Sequence, residues 1–492
     1  MDPNRQHVAQ MASPFIDGAS FQSQGDGIVE IKNPSDGQTF SVIPRGDDQD
    51  VDRAVTSARR AFTNGLWSDA PPSHRKRILH QFADQIAANS AELDKLDAGE
   101  MGKPIREPRA NATGASSLMR FYAESVDKIT GEVYASDRNS FVAQRRVPRG
   151  VIGALIPWNF PTFNAILKLA PALAGGNSVV LKPSELSSRS ALRLAEMAVS
   201  VGLPPGVLNV TPGLGDTVGS ALARHGDVDM VTFTGSTEVG KKIIQYAGHS
   251  NMKVVLAECG GKSPQIVFDD GVDLKAAADS IAHSILTNQG QVCSAGSRLL
   301  VQRSIEFELL DKIATRVRQI TMGNALDPRT TYGPVASANH CSRIMEYIES
   351  AGAEGAELVA GGRRSLKETG GYFIEPTIFR NVSPEARVAQ EEVFGPVLSV
   401  IAFESEEDAI RIANGTKYSL AAYLWTSQIS RGLRVAKAIR SLVLVNAVAP
   451  AGEGPGFASS FEPSGHSGIG VEGGVAGLES YLRRQTIWIN HA

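Results

Sequence analysis

The chain has 492 residues, of which 42% are hydrophobic and 21% charged; 49 basic and 52 acidic side chains give a formal net charge of −3. This length predicts two or three domains rather than one small core. No basic block indicates a nucleic-acid partner or an anionic membrane surface. The N-terminus lacks the apolar core of a secretory signal, and no apolar run approaches the ~20 residues that span a bilayer. We therefore expect neither nucleic acid nor membrane as a partner.

The first residue-level question concerns the three cysteines, Cys259, Cys293 and Cys341. Their number is odd and no two form a CxxC pair, so their spacing favours neither a disulfide framework nor a zinc site. We expect a reducing compartment, the cytoplasm, and no bound metal. A free cysteine is usually a small buried apolar group, but it can also act as a nucleophile.

The N-terminal part predicts short strands followed by two amphipathic helices. Apolar side chains recur at i, i+3, i+4 and i+7 across 51–62, which is the spacing of one helix face. A second helix carries Ile78, Leu79 and Phe82, and Ser73 is its predicted N-cap.

From residue 150 onward, short apolar strands alternate with helices, and a second block of the same kind runs from 265 to 446. This alternation predicts an α/β fold with a parallel sheet covered on both faces. The strands predicted in the first block are 151–156, 178–182, 207–210, 230–234 and 252–257.

Polar residues and glycines stand where several of these strands end. Asn159, Lys182, Gly235 and Glu258 all follow a strand closely. Ligands of parallel sheets bind outside the carboxyl ends of the strands, so we expect these residues near one site.

Two strand-like segments fit neither block. They are the alternating stretch 132–147 and the C-terminal stretch 485–490. We expect them to form an arm that pairs with another subunit.

The glycine-rich segments give weak signals when each is taken alone. The stretch 213–219, which contains Gly215, spaces its last glycine one residue too far for GxGxxG. The stretch 235–241 matches GxxxxGK, but Lys242 stands where a P-loop needs Ser or Thr, so a P-loop NTPase is a distant alternative. Gly235 and Ser236 could still bring a helix N-terminus to a phosphate, or could form a simple tight turn.

Each remaining candidate also has two interpretations. Lys182, with Glu185 nearby, suits ribose hydroxyls, although most lysines are merely solvated. Asn159, between Pro157 and Pro161, is either a turn or cap residue or a donor fixed toward an oxyanion. Glu258 is a surface carboxylate or a base with a raised pKa.

Five motifs together are far more specific, and they occur in order along nearly the whole chain. They resemble those of the aldehyde dehydrogenase superfamily. The motifs are Pro157-Trp158-Asn159-Phe160-Pro161, Phe233-Thr234-Gly235-Ser236-Thr237, Glu258-Cys259-Gly260-Gly261-Lys262, Gly290-Gln291-Val292-Cys293 and Glu391-Glu392-Val393-Phe394-Gly395-Pro396-Val397.

This resemblance implies a division of the chain. Residues 1–125 and 148–258 would form a Rossmann-type cofactor domain, and 259–446 an α/β catalytic domain. The oligomerisation arm would comprise 126–147 and 478–492, and 447–477 would be a loop bordering the substrate mouth. The assembly would be a homodimer or homotetramer.

The resemblance also implies a reaction. Cys293, held ionised, would attack a small aldehyde, and Asn159 with the backbone N–H of Cys293 would hold the oxyanion. Hydride would pass to NAD, or possibly NADP, and Glu258 would activate the water that releases the acid. A catalytically silent relative of the same fold is the other open interpretation.

Further residues follow from the resemblance. Because a carboxylate at Glu185 repels a 2′-phosphate, NAD is favoured over NADP. The other implied contacts are Ile156, Trp158, Lys182, Glu185, Gly215, Gly235, Ser236, Glu392 and Phe394 with the cofactor, and Phe160, Phe163 and Phe461 with the substrate.

The sequence departs from the family pattern in two places. Cys259 stands where the family usually has leucine, and Gly465 takes the place of a lysine in an unusual 449–466 loop. Phe160 and Phe163 favour an apolar or aromatic aldehyde, and no arginine is obviously placed to bind a second carboxylate.

Overall fold

A computed structural model describes residues 11–23, 25–447 and 454–491. Its α-helices are α1 Asp48–Thr63, α2 Pro72–Ala88, α3 Ser90–Met101, α4 Ala112–Ser125, α5 Pro161–Ala174, α6 Arg189–Ser200, α7 Ser220–Arg224, α8 Thr237–His249, α9 Leu274–Leu286, α10 Glu306–Val317, α11 Ala338–Ala353, α12 Arg387–Gln390, α13 Glu406–Ala413, α14 Ile429–Ala438 and α15 Gly474–Ser480.

The strands belong to three larger sheets and three short pairs. They are β1 Phe15–Ile16, β2 Ala19–Ser20, β3 Ile28–Lys32, β4 Thr39–Pro44, β5 Glu132–Tyr134, β6 Ser140–Pro148, β7 Val151–Leu155, β8 Ser178–Lys182, β9 Leu208–Val210, β10 Met230–Thr234, β11 Val254–Glu258, β12 Pro264–Val267, β13 Arg298–Gln302, β14 Glu357–Ala360, β15 Arg364–Ser365, β16 Phe373–Ile374, β17 Thr377–Arg380, β18 Val397–Phe403, β19 Tyr418–Ser419, β20 Ala421–Trp425, β21 Leu442–Val445, β22 Ser464–Gly465, β23 Gly468–Ile469 and β24 Leu482–Asn490.

The first sheet has the order β2-β1-β9-β8-β7-β10-β11-β23. Its five central strands, β9, β8, β7, β10 and β11, are parallel. Strands β7 and β8 are buried along their whole length, which explains their continuous apolar runs. Helices α2, α4, α5 and α6 contribute to the core on one face, and α1, α7 and α8 to the core on the other. The predicted doubly covered parallel sheet is confirmed.

The second sheet has the order β14-β17-β18-β13-β12-β20-β21 and is parallel except for β14. Helices α11, α13 and α14 pack on one face, and α9 and α10 on the other. Both sheets therefore bury apolar side chains on both faces, as the alternating pattern predicts.

The third sheet joins the two segments that fitted neither block. Strand β24 pairs antiparallel with β6 over nine residues, and β6 pairs with β5. This sheet leaves large apolar side chains exposed, with Val133 at 72% and Trp488 at 73% of their full accessible surface. The division of the chain into domains stays a prediction, and residues 1–10, 24, 448–453 and 492 lie outside the described residues.

The prediction that Ser73 caps the second helix is wrong. Pro71 occupies the N-cap position and Pro72 the first helical position, so Ser73 lies inside α2. The fixed φ of proline is already suited to the first turn and its missing N–H costs nothing there, which is why the helix starts two residues earlier than a Ser73 cap would place it.

Candidate active site

Parallel register brings the polar residues of the first sheet to one edge. Thr234 pairs with Glu258, and Phe233 pairs with both Ala257 and Leu155, so the ends of β7, β10 and β11 are level. The N–H of Gly235 donates to the carbonyl of Glu258 at 3.0 Å. Residues just beyond these strands consequently face a common cleft.

A cavity of about 480 Å³ lies at this edge. Residues from all five sequence motifs line it. Its wall comprises Arg109, Ala110, Leu118, Pro157, Trp158, Asn159, Phe160, Phe163, Asn164, Leu167, Thr234, Gly235, Ser236, Cys259, Gly260, Val292, Cys293, Ser294, His340, Arg343, Glu392, Phe394, Gly456, Phe457, Ser459, Phe461 and Gly473.

Cys293 reaches this cavity at the end of a strained turn. Asn288, Gln289 and Gly290 have φ values of 47°, 55° and 70°, three consecutive left-handed residues of which only the last is glycine. Such a conformation persists only where the surroundings hold it. Here Asn288 Nδ2 donates to the Asn159 carbonyl at 2.8 Å, and Gln291 Nε2 donates to the Asn288 carbonyl at 3.0 Å. Buried amides thus fix the backbone that presents Cys293.

The three cysteines lie in different surroundings. Cys293 is partly exposed, whereas Cys259 and Cys341 are buried. Cys259 also borders the cavity, but its sulfur packs over Gly240, where an added Cβ would lie 2.6 Å from it. Cys341 belongs to the core of the second sheet. Cys293 is therefore the thiol most accessible to a molecule in the cavity.

The expectation that the Cys293 sulfur is held ionised is wrong for the protein without ligands. Burial, followed by the negative charges of Glu392 and Glu258, raises the pKa of the Cys293 thiol to about 12, while the Arg109 charge lowers it. The thiol is therefore protonated near pH 7 in the protein without ligands.

Asn159 is oriented by two hydrogen bonds. Its Oδ1 accepts from Asn164 Nδ2 at 3.1 Å, and its Nδ2 donates to the Gln291 carbonyl at 3.0 Å. A carboxamide nitrogen carries two hydrogens, and one of them remains for a ligand. Asn164 was not predicted from the sequence; it sets which end of the Asn159 amide carries the donors.

Glu258 is 5% exposed, and its Oε1 has no hydrogen-bond partner among the described residues. Burial and the neighbouring Glu472 charge raise its pKa well above the ordinary value of 4.5, while Lys168 opposes the shift. Lys168 and Glu472 form a buried ion pair at 0% and 3% exposure. This pair was also absent from the sequence-based predictions.

Glu392 and the two glycines of the Glu258 motif fit together closely. Glu392 Oε1 accepts the Gly261 N–H at 3.0 Å, and a Cβ on Gly260 would lie 2.0 Å from Glu392 Oε2. A Cβ on Gly261 would lie 2.6 Å from the Cys293 carbonyl oxygen. Burial raises the pKa of Glu392 to about 7. The glycines are required because the carboxylate and the cysteine backbone approach at van der Waals distance.

Aromatic rings form the wall beside Glu392. The Trp158 ring centroid lies 5.4 Å from that of Phe394 and 5.3 Å from that of His340, both edge-on. His340 Nε2 donates to the Phe394 carbonyl at 2.8 Å, and Phe394 has a φ of 56°. Burial lowers the pKa of His340 to about 4, so this ring is neutral near pH 7.

The other predicted cofactor residues lie outside the cavity wall. Lys182 is buried and its Nζ lies 3.3 Å from Glu185 Oε2; the Asp216 charge, beside Gly215, acts to raise its pKa against the larger effect of burial. Gly215 is exposed. Ile156 N–H donates to the Lys182 carbonyl at 3.1 Å. These residues form a second group along the same sheet.

Ser236 lies between the two groups. It is the N-cap of α8, and its side chain accepts the Val239 N–H. The free N–H groups and positive dipole end of that helix suit a phosphate. Lys182 and Glu185 suit ribose hydroxyls, and the Glu392 cradle lies at the cysteine end. A dinucleotide therefore fits along this edge.

The predicted substrate phenylalanines Phe160, Phe163 and Phe461 all line the cavity. Phe457, Leu118 and Leu167 extend the apolar wall. The loop between β21 and α15 reaches this wall because β23 pairs with β11, Glu258 opposite Gly468. Part of that loop, 448–453, lies outside the described residues.

The backbone conformation explains why residue 465 is glycine rather than the family's lysine. Its φ is 60°, and a Cβ there would lie 2.6 Å from the Lys417 carbonyl oxygen. The residue pairs with Tyr418 in a short antiparallel bridge. A longer side chain would have to move that bridge.

Comparison with known proteins decides the family. Residues 21–487 match the model described as "Aldehyde dehydrogenase family". The chain belongs to the aldehyde dehydrogenase family.

Relatives and solved structures agree with this assignment. NADP/NAD-dependent aldehyde dehydrogenase PuuC of Escherichia coli (strain K12) is 41% identical over 97% of this chain and 95% of its own length. The crystal structure of aldehyde dehydrogenase KauB from Pseudomonas aeruginosa matches with a TM-score of 0.94 and 44% identity over 97% of this chain and 96% of KauB. The indole-3-acetaldehyde dehydrogenase AldA of P. syringae, solved with NAD+ and IAA, matches with a TM-score of 0.93 and 43% identity over 97% and 96%.

The chain is therefore an NAD(P)-dependent enzyme that oxidises an aldehyde to the carboxylic acid. Neither the P-loop NTPase nor the silent relative is supported. No helix in the described part of the chain has the length and apolar character that a membrane crossing requires. Across residues 11–23, 25–447 and 454–491, no three His, Cys, Asp or Glu side chains gather to hold a metal ion.

Proposed function

We propose that Cys293 is the nucleophile of this aldehyde dehydrogenase, Asn159 its oxyanion donor and Glu258 its base. The observation that carries the proposal is the shared cavity: Cys293 and Asn159 line it together, and the Glu258 charge acts on the Cys293 thiol. Cys293 is also the one cysteine of the three that is not buried.

The first step is proton transfer and addition. The neutral Cys293 thiol gives its proton to the ionised fraction of Glu258 as sulfur bonds to the aldehyde carbon. The carbonyl oxygen becomes an oxyanion, which accepts the spare Asn159 Nδ2 hydrogen and the Cys293 backbone N–H. Each such donor typically contributes ~10²–10³ in rate.

The later steps reuse the same groups. NAD(P), when bound, supplies the hydride acceptor for the tetrahedral intermediate, leaving a thioester on Cys293. Glu258 must have released its proton by then, and it takes a second one from the water that attacks the thioester. The products are the carboxylic acid and the free thiol. A base with a raised pKa is suited to this alternation near neutrality.

Cofactor contacts are proposed for two groups of residues. Glu392, Phe394, Trp158 and Gly235 would hold the nicotinamide end beside Cys293. At the other end, the Glu185 carboxylate, already paired with Lys182, suits ribose hydroxyls and disfavours a 2′-phosphate, so we propose NAD as the preferred cofactor. Ser236, Ile156 and Gly215 would contact the parts of the dinucleotide between the nicotinamide and this ribose, or next to them.

We propose that the enzyme is a homodimer or homotetramer assembled through the β24-β6-β5 arm. The support is its exposed apolar surface, with Trp488 at 73% and Val133 at 72% exposure, on strands with unpaired edges. Light scattering should show that Trp488→Asp lowers the molecular mass, and an unchanged mass would remove the arm from the interface. The cytoplasm is the proposed compartment, since an unpaired nucleophilic thiol needs reducing conditions.

The assigned nucleophile can be tested against the other thiols. Cys293→Ala should abolish NADH formation from any aldehyde, while Cys341→Ala, in the second core, should retain it after correction for folded fraction. Cys259→Ala is the closer control, because Cys259 borders the same cavity. Full activity in Cys293→Ala, or complete loss in Cys259→Ala with normal NAD binding, would overturn the assignment.

A further inference from the structure

Arg109 is a cation in an otherwise apolar stretch of the cavity wall. It lies on the loop between α3 and α4, with Phe160, Phe163 and Phe461 among the other residues of the wall. From the sequence we expect no arginine placed to bind a second carboxylate, because this loop is remote in sequence from Cys293; the fold nevertheless brings Arg109 to the cavity wall.

The backbone of Arg109 is held on both sides. Its N–H donates to Glu107 Oε1 at 3.1 Å, and its carbonyl accepts from the buried Lys103 Nζ at 3.3 Å. Lys103 in turn acts electrostatically on the buried Asp97 and on Asp94. These hydrogen bonds hold the backbone of the loop in place and leave the Arg109 guanidinium free to make other contacts.

The guanidinium has spare hydrogen-bonding capacity. It makes one hydrogen bond within the described residues, from Nη2 to Ser294 Oγ at 3.3 Å, and no ion pair there. Arginine carries five N–H donors in a planar fork that suits a carboxylate. An unpaired guanidinium of this kind is an open anion-binding group.

This group is near the reaction centre. Ser294 follows Cys293 directly, and Tyr423 Oη donates to the Ser294 carbonyl at 2.9 Å. The Arg109 charge acts on both Cys293 and Tyr423, lowering the pKa of each side chain against the larger effect of burial. The hydrogen bond to the residue next to Cys293 therefore places the guanidinium at the cysteine end of the cavity, within reach of the far end of a short aldehyde.

The other charged groups of the wall lie toward the proposed cofactor end. Glu392 accepts from Gly261, and Arg343 acts on Glu392 and His340 and lies 5.9 Å from the Tyr347 ring. Glu392 is the sole carboxylate among the described residues of the wall. Among the described residues of the wall, the substrate end therefore carries one positive charge and no carboxylate.

We propose that the enzyme prefers aldehydes carrying a carboxylate at the far end of a short apolar chain, bound by Arg109. This inference rests on the proposed function, since it takes Cys293 as the point of attack. The phenylalanines contact the apolar spacer, and the Arg109 N–H groups donate to the carboxylate oxygens. A cationic aldehyde of the same length meets a like charge and is disfavoured.

The test compares matched aldehydes at four and six carbons: neutral, ω-carboxylated and ω-trimethylammonium, with the NAD-loaded enzyme. The carboxylated member should have the highest kcat/KM. Arg109→Gln should lower its kcat/KM by about 10- to 100-fold, as expected for loss of a charged hydrogen bond. The neutral aldehyde should lose much less, because it loses only the effect of the Arg109 charge on the Cys293 thiol, and the ratio of the carboxylated to the neutral kcat/KM should therefore fall. Arg109→Glu should invert the order in favour of the cationic aldehyde.

Arg106→Gln is the matched control, because Arg106 is an exposed arginine on the same loop and outside the cavity wall. It should leave all ratios unchanged. Equal effects of Arg109→Gln and Arg106→Gln, or a wild-type preference for the neutral or cationic aldehyde, would overturn the proposal.

A binding measurement distinguishes failure of the Arg109 proposal from failure of the nucleophile assignment. Calorimetry with NAD-loaded Cys293→Ala should show adipate binding at least about tenfold more tightly than hexanoate, and Arg109→Gln in that background should remove the difference. Equal binding of adipate and hexanoate overturns the Arg109 proposal whatever the turnover data show. Failure of Cys293 as nucleophile would appear instead as turnover in Cys293→Ala.

Discussion

Glu258→Gln should separate the two halves of the reaction. The substitution keeps the shape of the side chain but removes its ability to take a proton from water. A positioned base contributes ~10²–10⁴ in rate, and Glu258 is 5% exposed, so bulk water has little access to replace it. We expect steady-state kcat to fall by about 10²–10⁴, with deacylation as the step that stalls.

Stopped-flow fluorescence of NADH gives the assay. Wild-type enzyme should produce NADH in a fast phase and a sustained linear phase. At high pH, Glu258→Gln should give about one NADH per active site and then almost none, because the substitution also removes a negative charge that raises the Cys293 pKa, so the thiolate can form without the base while deacylation cannot proceed. A variant with an unchanged linear rate would refute the role of Glu258, and a variant with no first turnover would show that Glu258 is indispensable for activating the thiol.

The pH dependence follows from the raised pKa of Glu258. Only the ionised carboxyl is a base, so wild-type kcat should rise with pH through a range well above 4.5, and Glu258→Gln should lose this rise of kcat with pH.

The stability of the folded protein should depend on pH in the opposite direction. A raised pKa means that the folded state holds the proton more tightly; the resulting stability is complete below the unfolded pKa and is lost as pH rises through the folded pKa. The Tm of Glu258→Gln minus that of wild type should therefore be larger at pH 8 than at pH 5. The same melting curves show whether the variant folds.

Three further predictions concern the surroundings of the nucleophile. Asn159→Ala should lower kcat by ~10²–10³ with little change in NAD affinity, measured by steady-state kinetics and fluorescence titration; a loss below threefold would count against its role. Gly261→Ala, whose Cβ would lie 2.6 Å from the Cys293 carbonyl oxygen, should reduce kcat strongly, whereas Gly248→Ala, with nothing within 4 Å, should not. Lys168→Met should lower the free energy of unfolding by about 3–5 kcal/mol in urea titrations by leaving Glu472 unpaired, and adding Glu472→Leu should restore much of it; equal stability of both variants would contradict the coupling.

The backbone framework could be predicted from local pattern. The predicted strands 178–182 and 230–234 coincide with β8 and β10, because fully buried strands read as continuous apolar runs between glycine and proline turns. The placement of Asn159 and Glu258 at one edge follows from the same logic, since parallel strands end together. The family motifs then identified the residue types without any distance information.

The electrostatic environment could not be predicted in the same way. Glu472 approaches Glu258 from a loop 214 positions later, and Arg109 approaches Cys293 from a loop 184 positions earlier. Such encounters depend on tertiary packing rather than periodicity. One local signal existed: Lys168 interrupts the apolar run Ile166-Leu167-Lys168-Leu169-Ala170, and a lysine within a buried helix implies a buried partner.

The ionisation of Cys293 was misjudged for a related reason. Sequence shows that a thiol is present, but its pKa depends on desolvation and on charges that converge from distant segments. Here Glu392 and Glu258 both oppose the thiolate, and Arg109 only partly offsets them. In the proposed mechanism, proton loss is therefore coupled to addition instead of preceding it.

The most direct test of the account is to locate the acyl group. Glu258→Gln enzyme is mixed with NAD and aldehyde, quenched in acid within the burst, digested, and analysed by mass spectrometry. If Cys293 is the nucleophile, we expect one acyl group per chain, on the peptide that contains Cys293. An acyl group on Cys259 or Cys341, or a full NADH burst with no acylated cysteine, would contradict it.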